Sequence, residues 1–347
     1  MEVGGSRRIR AWRSPLPARL FSIAGRQKCC SLYRGNPGVA RVTIRIAIAG
    51  FGKIARDEHL PAIRAHGGYE LAAIVSHGSA ADIGCPKFDT IAEMMTALPS
   101  RVDAIAICTP PKPRFALASQ AIAAGLSVLL EKPPAATLGE MDQLVALAKK
   151  HGSLIYTAWH SQHAAGVAPA KAVLAGAPVK RISLVWHEDV RKFHPDQQWI
   201  WEPGGFGVFD PGINGLSILT RILSVPLSVR SAELLFPANR HAPIATRLKF
   251  DGDDRVADMD WRGMGKEQWS ISIELESGEQ VELVEGGAKL LIDGTPQLLP
   301  VEGEYSSIYR DFSDHVNAGK SFIDAEPLRI VADAFLIGKR KLVGDFV

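Results

Sequence analysis

Residues Ile44-Arg-Ile-Ala-Ile-Ala-Gly50-Phe-Gly52-Lys-Ile-Ala55 form an apolar run that enters G-x-G-x-x-A and continues into a helical pattern. Few local sequences constrain a fold so tightly. Gly50 permits the sharp turn, Gly52 leaves room for a close approach to the backbone, and Ala55 lets the helix sit against its strand, so that the helix N-terminus faces an anion. The pattern carries weight only among alternating strands and helices, and that context is present. Residues 71–76 and 102–108 have the composition of further strands, with helical segments between them. The expected fold is α/β, opening with a doubly wound parallel sheet that binds a dinucleotide.

The alternation continues past the third strand. Cys108-Thr-Pro-Pro-Lys-Pro-Arg114 is too rich in proline for a helix interior and is expected as a loop at the carboxyl end of the sheet, where ligands bind. A helix over 116–125, a fourth strand over 127–130 with Glu131-Lys132-Pro133 at its end, a capping box at Thr137-Leu-Gly-Glu140 and a fifth strand over 154–157 follow. Beyond residue 160 the period changes. Ile182, Leu184, Trp186 and Glu188 share one face of an alternating strand, and Trp269, Ile271, Ile273 and Leu275 share one face of another before the hairpin signal Ser277-Gly278. The expected organisation is a Rossmann dinucleotide-binding domain over 42–160 and an α+β substrate-binding domain over 161–347, built on a mostly antiparallel open sheet. One of its helices opens at Asp210, and the terminal one carries Leu328, Val331, Ala332, Phe335 and Leu336 at helical spacing.

A chain of 347 residues suits two domains. No apolar run approaches the ~20 residues a membrane-spanning helix needs. Cys29, Cys30, Cys85 and Cys108 have neither metal spacing nor the pattern of a disulfide framework, so no metal site and a cytoplasmic setting are expected. Residues 1–41 stand apart, with nine Lys or Arg against the single acid Glu2, leaving 31 basic and 36 acidic residues in the remainder, a formal −5. A targeting leader, a disordered basic arm and a misassigned start near Val42 all fit that composition, and the last is favoured because a glycine-turn strand normally opens such chains. The acidic balance of the remainder argues against nucleic acid as a partner.

The segment from Glu188 to Asn214, E-D-V-R-K-F-H-P-D-Q-Q-W-I-W-E-P-G-G-F-G-V-F-D-P-G-I-N, concentrates acids, imidazoles, amides and indoles where a sheet would carry alternating apolar residues. Such a mixture suits a sugar: polar groups for its hydroxyls, flat aromatic faces for its C–H bonds. Asp210 and Asn214, four residues apart on a starting helix, project from one face, although Asp210 also suits an N-cap. At the end of the second strand Ser76-His77 stands where a strict NAD enzyme usually has an acid for the ribose hydroxyls. A hydroxyl and an imidazole tolerate a 2′-phosphate better than a carboxylate does, so use of both NAD and NADP, leaning to NADP, is expected.

With these residues in place, Gly50-x-Gly52-x-x-Ala55, Thr109-Pro110-Pro111, Glu131-Lys132-Pro133 and Asp210-x-x-x-Asn214 together resemble the glucose-fructose oxidoreductase and inositol dehydrogenase (Gfo/Idh/MocA) family, from about Val42 to the end of the chain. Within it, Glu188-Asp-Val-Arg, His194-Pro, Gln198-Trp-Ile-Trp-Glu-Pro-Gly-Gly and Phe209-Asp-Pro-Gly-Ile-Asn214 are similar to the bacterial D-galactose and L-arabinose 1-dehydrogenases. The resemblance implies oxidation of an aldopyranose, D-galactose, L-arabinose or D-fucose, to its lactone. Its catalytic set is Asp210, Lys132 and Asn214, with Glu188 and His194 as further sugar contacts. The dinucleotide contacts it implies are Gly50, Phe51, Gly52, Lys53 and Ile54 at the turn, Ser76 and His77 after the second strand, Cys108, Thr109 and Pro110 after the third, Glu131 and Lys132 after the fourth, and His160 beyond the fifth. Family members more often carry histidine where Asn214 stands; asparagine cannot take a proton, which moves the general base to Asp210. Another sugar, inositol or dihydrodiol dehydrogenase of the family, and a non-catalytic regulator that binds dinucleotide or sugar, are the alternatives. The expected partner is a small aldose, with self-association left open.

Overall fold

Every residue of the first strand, β1 (Ile44–Ala49), is buried except Arg45, as a parallel strand covered on both faces requires. The computed structural model of the chain describes residues 43–78, 83–99 and 101–347; the readings made above for 1–41 lie outside them. After β1 the chain turns at Gly50 into a wide helical turn, Ala55–His59, whose Ala55 carbonyl accepts the Leu60 N–H, and then into α1 (Leu60–Ala65). β2 (Tyr69–Val75), the short β3 (Lys87–Phe88), α2 (Ile91–Ala97), β4 (Ala104–Ile107), α3 (Pro111–Ala123), β5 (Ser127–Glu131), α4 (Leu138–His151) and β6 (Ile155–Ala158) follow. The six strands form one parallel sheet in the order β3-β2-β1-β4-β5-β6. The order reverses between β1 and β4, which opens the crevice where such sheets bind ligands.

Beyond a helical turn at His160–His163 come α5 (Val167–Leu174), β7 (Val179–His187), α6 (Val190–Phe193), α7 (Phe209–Ile222), β8 (Val229–Pro237), β9 (Ala245–Phe250), β10 (Arg255–Asp260), β11 (Gln268–Leu275), β12 (Gln280–Val284), β13 (Lys289–Ile292), β14 (Thr295–Pro296), α8 (Glu304–Ala318), α9 (Glu326–Ile337) and β15 (Lys339–Val343). Nine strands, ordered β14-β13-β12-β11-β7-β10-β9-β8-β15, make the second sheet, antiparallel apart from the pairs β7–β10 and β8–β15. Glycine lets α7 lie close on this sheet. A Cβ on Gly212 would come within 2.3 Å of Met259 Sδ on β10, and one on Gly215 within 2.5 Å of Leu184 Cδ1 on β7.

The structure corrects several expectations. The proline-rich loop is short, because α3 already starts at Pro111: a first helical turn has no acceptor for its N–H groups, so Pro111 and Pro113 lose nothing there. Thr137 caps α4 by accepting the Glu140 N–H, but Glu140 turns its carboxylate to the Ala136 N–H, so the box is half closed. On α9 the buried positions are Pro327, Leu328, Ile330, Val331 and Ala334, whereas Leu336 is 84% exposed. Asp210 caps nothing, since it is the second residue of α7 and no side chain caps that helix. Tyr305, Ile308, Tyr309 and Phe312 of α8 pack with Ile44, Ile46, Ile48 and α1 on one face of the first sheet, while α2, α3 and α4 cover the other.

Candidate active site

The glycine turn sits at the carboxyl end of β1 with Thr109 against it. Gly50 holds φ +86°, and a Cβ there would lie 2.7 Å from Thr109 Cγ2, whereas a Cβ on Gly52 would meet nothing within 4 Å. One glycine is thus required by backbone shape and contact, and the other leaves open space beside the helix. Thr109 Oγ1, on the residue packed against Gly50, is buried without a hydrogen-bond partner among the described residues. The residues therefore fit a dinucleotide pyrophosphate. Phe51 and Lys53 flank the turn; the Lys53 ammonium is exposed and pairs with Asp57. Ile54 is partly exposed and Pro110 is exposed at the start of α3. Cys108 is buried and its N–H donates to the Ala49 carbonyl. Ser76 follows β2, its N–H donated to Phe88, with His77 exposed beside it.

Lys132 lies at the carboxyl end of β5 over a polar cluster. Glu131 is 3% exposed; its Oε2 accepts the Lys132 N–H at 2.7 Å, and its Oε1 accepts from the Tyr305 hydroxyl at 2.5 Å and meets His59 Nε2 at 3.1 Å. Burial by itself would raise the Glu131 carboxyl, but the His59 contact holds it down at about 2. His59 moves the other way: burial opposes its charge, and Cys108 and Glu131 outweigh burial, raising it to about 10. Arg114, buried, donates to the carbonyls of Thr109, Glu131 and Pro133. Burial lowers it to about 10, so it stays charged. The sequence marked Glu131 as a dinucleotide contact, but the structure turns its carboxylate inward. His59, Arg114 and Tyr305 escaped the sequence reading, and the only local signal was a basic residue inside each of two apolar helix faces.

The second sheet brings α7 to Lys132. Lys132 Nζ lies 3.0 Å from the Asp210 carbonyl and 3.4 Å from Asp210 Oδ1. Asp210 Oδ2 lies 3.9 Å from His194 Nε2, which is 4.0 Å from Glu188 Oε1. Glu188 is buried with each oxygen accepting one indole N–H, Oε1 from Trp261 and Oε2 from Trp269, both at 2.9 Å. Burial raises its carboxyl above the ordinary range, against those two donors. Asn214 is half-buried on the Asp210 face, and its amide has no hydrogen-bond partner among the described residues. His160 gives Nδ1 to Glu304 Oε2 at 2.6 Å and stacks on Tyr305. His194 also borders a cavity of about 280 Å³, whose walls include Arg191, Gln197, Trp201, Arg240 and Phe346. Among the described residues no group of His, Cys, Asp and Glu is arranged to hold a metal, and no helix is long and apolar enough to cross a membrane.

Residues 44–158 match the model of an oxidoreductase family with an NAD-binding Rossmann fold. The chain is 43% identical over 307 residues to galactose 1-dehydrogenase of Pseudomonas fluorescens, covering 87% of this chain and 98% of that one. It belongs to the Gfo/Idh/MocA family. The structure is similar to that of D-galactose-1-dehydrogenase from Rhizobium etli, with a TM-score of 0.84, 47% identity, and coverage of 89% of this chain and 99% of that one. A 3-ketoreductase from Actinomadura kijaniata, solved with NADP and TDP-benzene, shares the fold at 16% identity and a TM-score of 0.75, covering 86% of this chain and 99% of that one. As a Gfo/Idh/MocA protein the chain is an oxidoreductase that uses a nicotinamide dinucleotide. Its glycine turn gives a first prediction. Gly50→Val is expected to cost about 1–3 kcal/mol of stability for the forced positive φ and to weaken NADPH binding at least about tenfold, both measurable by thermal melting and fluorescence titration. Unchanged dinucleotide affinity would remove Gly50 from the seat.

Proposed function

We propose that the protein is an aldose 1-dehydrogenase, oxidising D-galactose, L-arabinose or D-fucose at the anomeric carbon to the lactone, with NADP favoured over NAD. The observation that carries this reading is the pairing, 3.4 Å apart, of Lys132 at the end of the parallel sheet with Asp210 on a helix of the other. Similarity to two galactose 1-dehydrogenases over nearly the whole of each supports it. When bound, the nicotinamide dinucleotide supplies the hydride acceptor. What the chain itself supplies is proton transfer, charge and position. Asp210 Oδ1 faces the Lys132 ammonium, leaving Oδ2 to take the proton of the anomeric hydroxyl. The Lys132 charge stabilises the alkoxide as it forms. Asn214 orients the hydroxyl with an amide that donates and accepts. Glu188 keeps lone pairs beyond those its two indoles occupy, so it can still accept from a sugar hydroxyl, with His194 beside it. The dinucleotide lies along Gly50 to Ile54, Ser76, His77, Cys108 to Pro110 and Lys132, with His160 on the nicotinamide side and Glu131 acting from beneath.

An initial-rate panel of aldoses, inositol and a dihydrodiol with each dinucleotide tests the reading. D-galactose or L-arabinose should give the highest kcat/KM. Turnover of inositol or a dihydrodiol alone would reassign the substrate, and dinucleotide binding without turnover of any of them would favour a regulator.

Cofactor choice is carried by Ser76, whose position after β2 suits a contact with the adenosine ribose. Ser76→Asp is expected to lower the NADP/NAD ratio of kcat/KM at least about tenfold, because a carboxylate repels the 2′-phosphate. An unchanged ratio would place the ribose elsewhere.

A further inference from the structure

Beneath Lys132 lies a group of buried polar residues that the proton and charge roles above do not use. His59 is wholly buried at the end of the helical turn that leaves the glycine turn. Its Nδ1 meets the Tyr309 hydroxyl at 2.7 Å, and its Nε2 meets Glu131 Oε1 at 3.1 Å. The other Glu131 oxygen holds the Lys132 N–H at 2.7 Å. Arg114 takes the Glu131 carbonyl of that same peptide and, further along, the Pro133 carbonyl, so the 131–132 peptide is held by side chains at both its N–H and its carbonyl. An ion pair in a core is weak evidence for stability, because apolar residues of the same volume often do as well. Its cost makes sense where position is needed. Here the polar atoms converge on a single peptide, and the side chain on that peptide must reach Asp210 within 3.0–3.4 Å.

We propose that His59 is a positioning residue for Lys132: through Glu131 it ties the helix of the dinucleotide turn to the peptide that carries the ammonium, and so sets where that ammonium meets Asp210. The inference rests on the reading of Lys132 as the group that stabilises the alkoxide. Tyr305 secures the same Glu131 oxygen from α8 at 2.5 Å, so that helix joins the clamp. Losing the imidazole leaves Glu131 Oε1 held by Tyr305 alone and loosens the tie to the Lys132 peptide, and a displacement of about 1 Å at a reacting group costs on the order of 10²-fold.

A double-mutant cycle with Lys132 tests this. His59→Gln alone is expected to lower kcat by about 10–10²-fold, while sugar KM and NADPH Kd stay within about threefold. In a Lys132→Ala background the same change should lower kcat by no more than about twofold, since nothing is left to position. Equal losses in both backgrounds would overturn the proposal and make His59 a core residue only. Should His59→Gln not fold, Tyr305→Phe, which removes one hydroxyl from Glu131 and keeps the ring, runs the same cycle with the same two outcomes. Hydrogen exchange provides a readout without substrate. The Lys132 amide should exchange faster in His59→Gln while the amides of β6 keep their protection, and unchanged exchange at Lys132 would overturn the clamp. If the unaltered protein turned over no aldose, the proposed function would fail while the exchange measurement still judged His59.

Discussion

Asp210→Ala is expected to lower kcat by about 10²–10⁴-fold, the usual cost of removing a general base, and Asn214→Ala by clearly less. The two side chains share a face of α7, but their surroundings differ. Asp210 is 4% exposed and is shared between Lys132 on one oxygen and His194 on the other, whereas the Asn214 amide is half-buried with no partner among the described residues. Only the carboxylate can take a proton. Asp210→Ala also leaves Lys132 without its partner, so Asp210→Asn, which keeps the volume and an acceptor for the ammonium, separates lost chemistry from lost structure; it should be nearly as damaging. His194 is the competitor that only the structure brought forward, because its Nε2 stands about equally far from Asp210 and Glu188. A His194→Asn enzyme slower than Asp210→Asn would transfer the base to the imidazole. Near-normal turnover in Asp210→Ala with NADPH still bound would remove Asp210 from the chemistry altogether.

How much of this was legible in the sequence follows from the range over which each signal acts. The glycine turn, the strands about it and the Asp210–Asn214 step are local patterns, and all appear where the spacing placed them. The clamp under Lys132 is not local. His59 lies 72 residues from Glu131, and Tyr305 lies 174 residues from it. Periodicity marks such residues at most as polar interruptions of buried faces, because pairing across that separation is set by the return of α8 to the first sheet, which no turn or cap announces. Arg114 was obscured for another reason: its neighbouring prolines suggested a loop, yet prolines in a first turn are compatible with the helix that aims its guanidinium at three carbonyls. The inward turn of Glu131 had no sequence signal, since a glutamate ending a buried strand can face either way. At Glu188 the alternation of β7 leads to the buried face, and the indoles that hold the carboxylate there, Trp261 and Trp269, come from the strand neighbourhood of β10 and β11 on either side of β7.

Lys132→Ala should reduce kcat/KM by about 10²–10³-fold, the cost of deleting one donor aimed at a developing oxyanion. Among the described residues its ammonium is the cation hydrogen-bonded to Asp210, and the peptide that carries it is held at its N–H by Glu131 and at its carbonyl by Arg114. Lys132→Arg should recover little of the loss. A planar guanidinium is longer and presents its donors in a fork, so within the 3.0–3.4 Å now spanned by Nζ it would displace Asp210 instead of meeting it. The relative losses in turnover divide the two roles that Lys132 and Asp210 could exchange. If Lys132 supplies charge alone, Asp210→Ala is the more damaging change. If Lys132 takes the proton, Lys132→Ala is the more damaging change. That second result would leave Asp210 holding the lysine in place, and would reverse the assignment of base and charge while leaving the geometry of the pair as it stands.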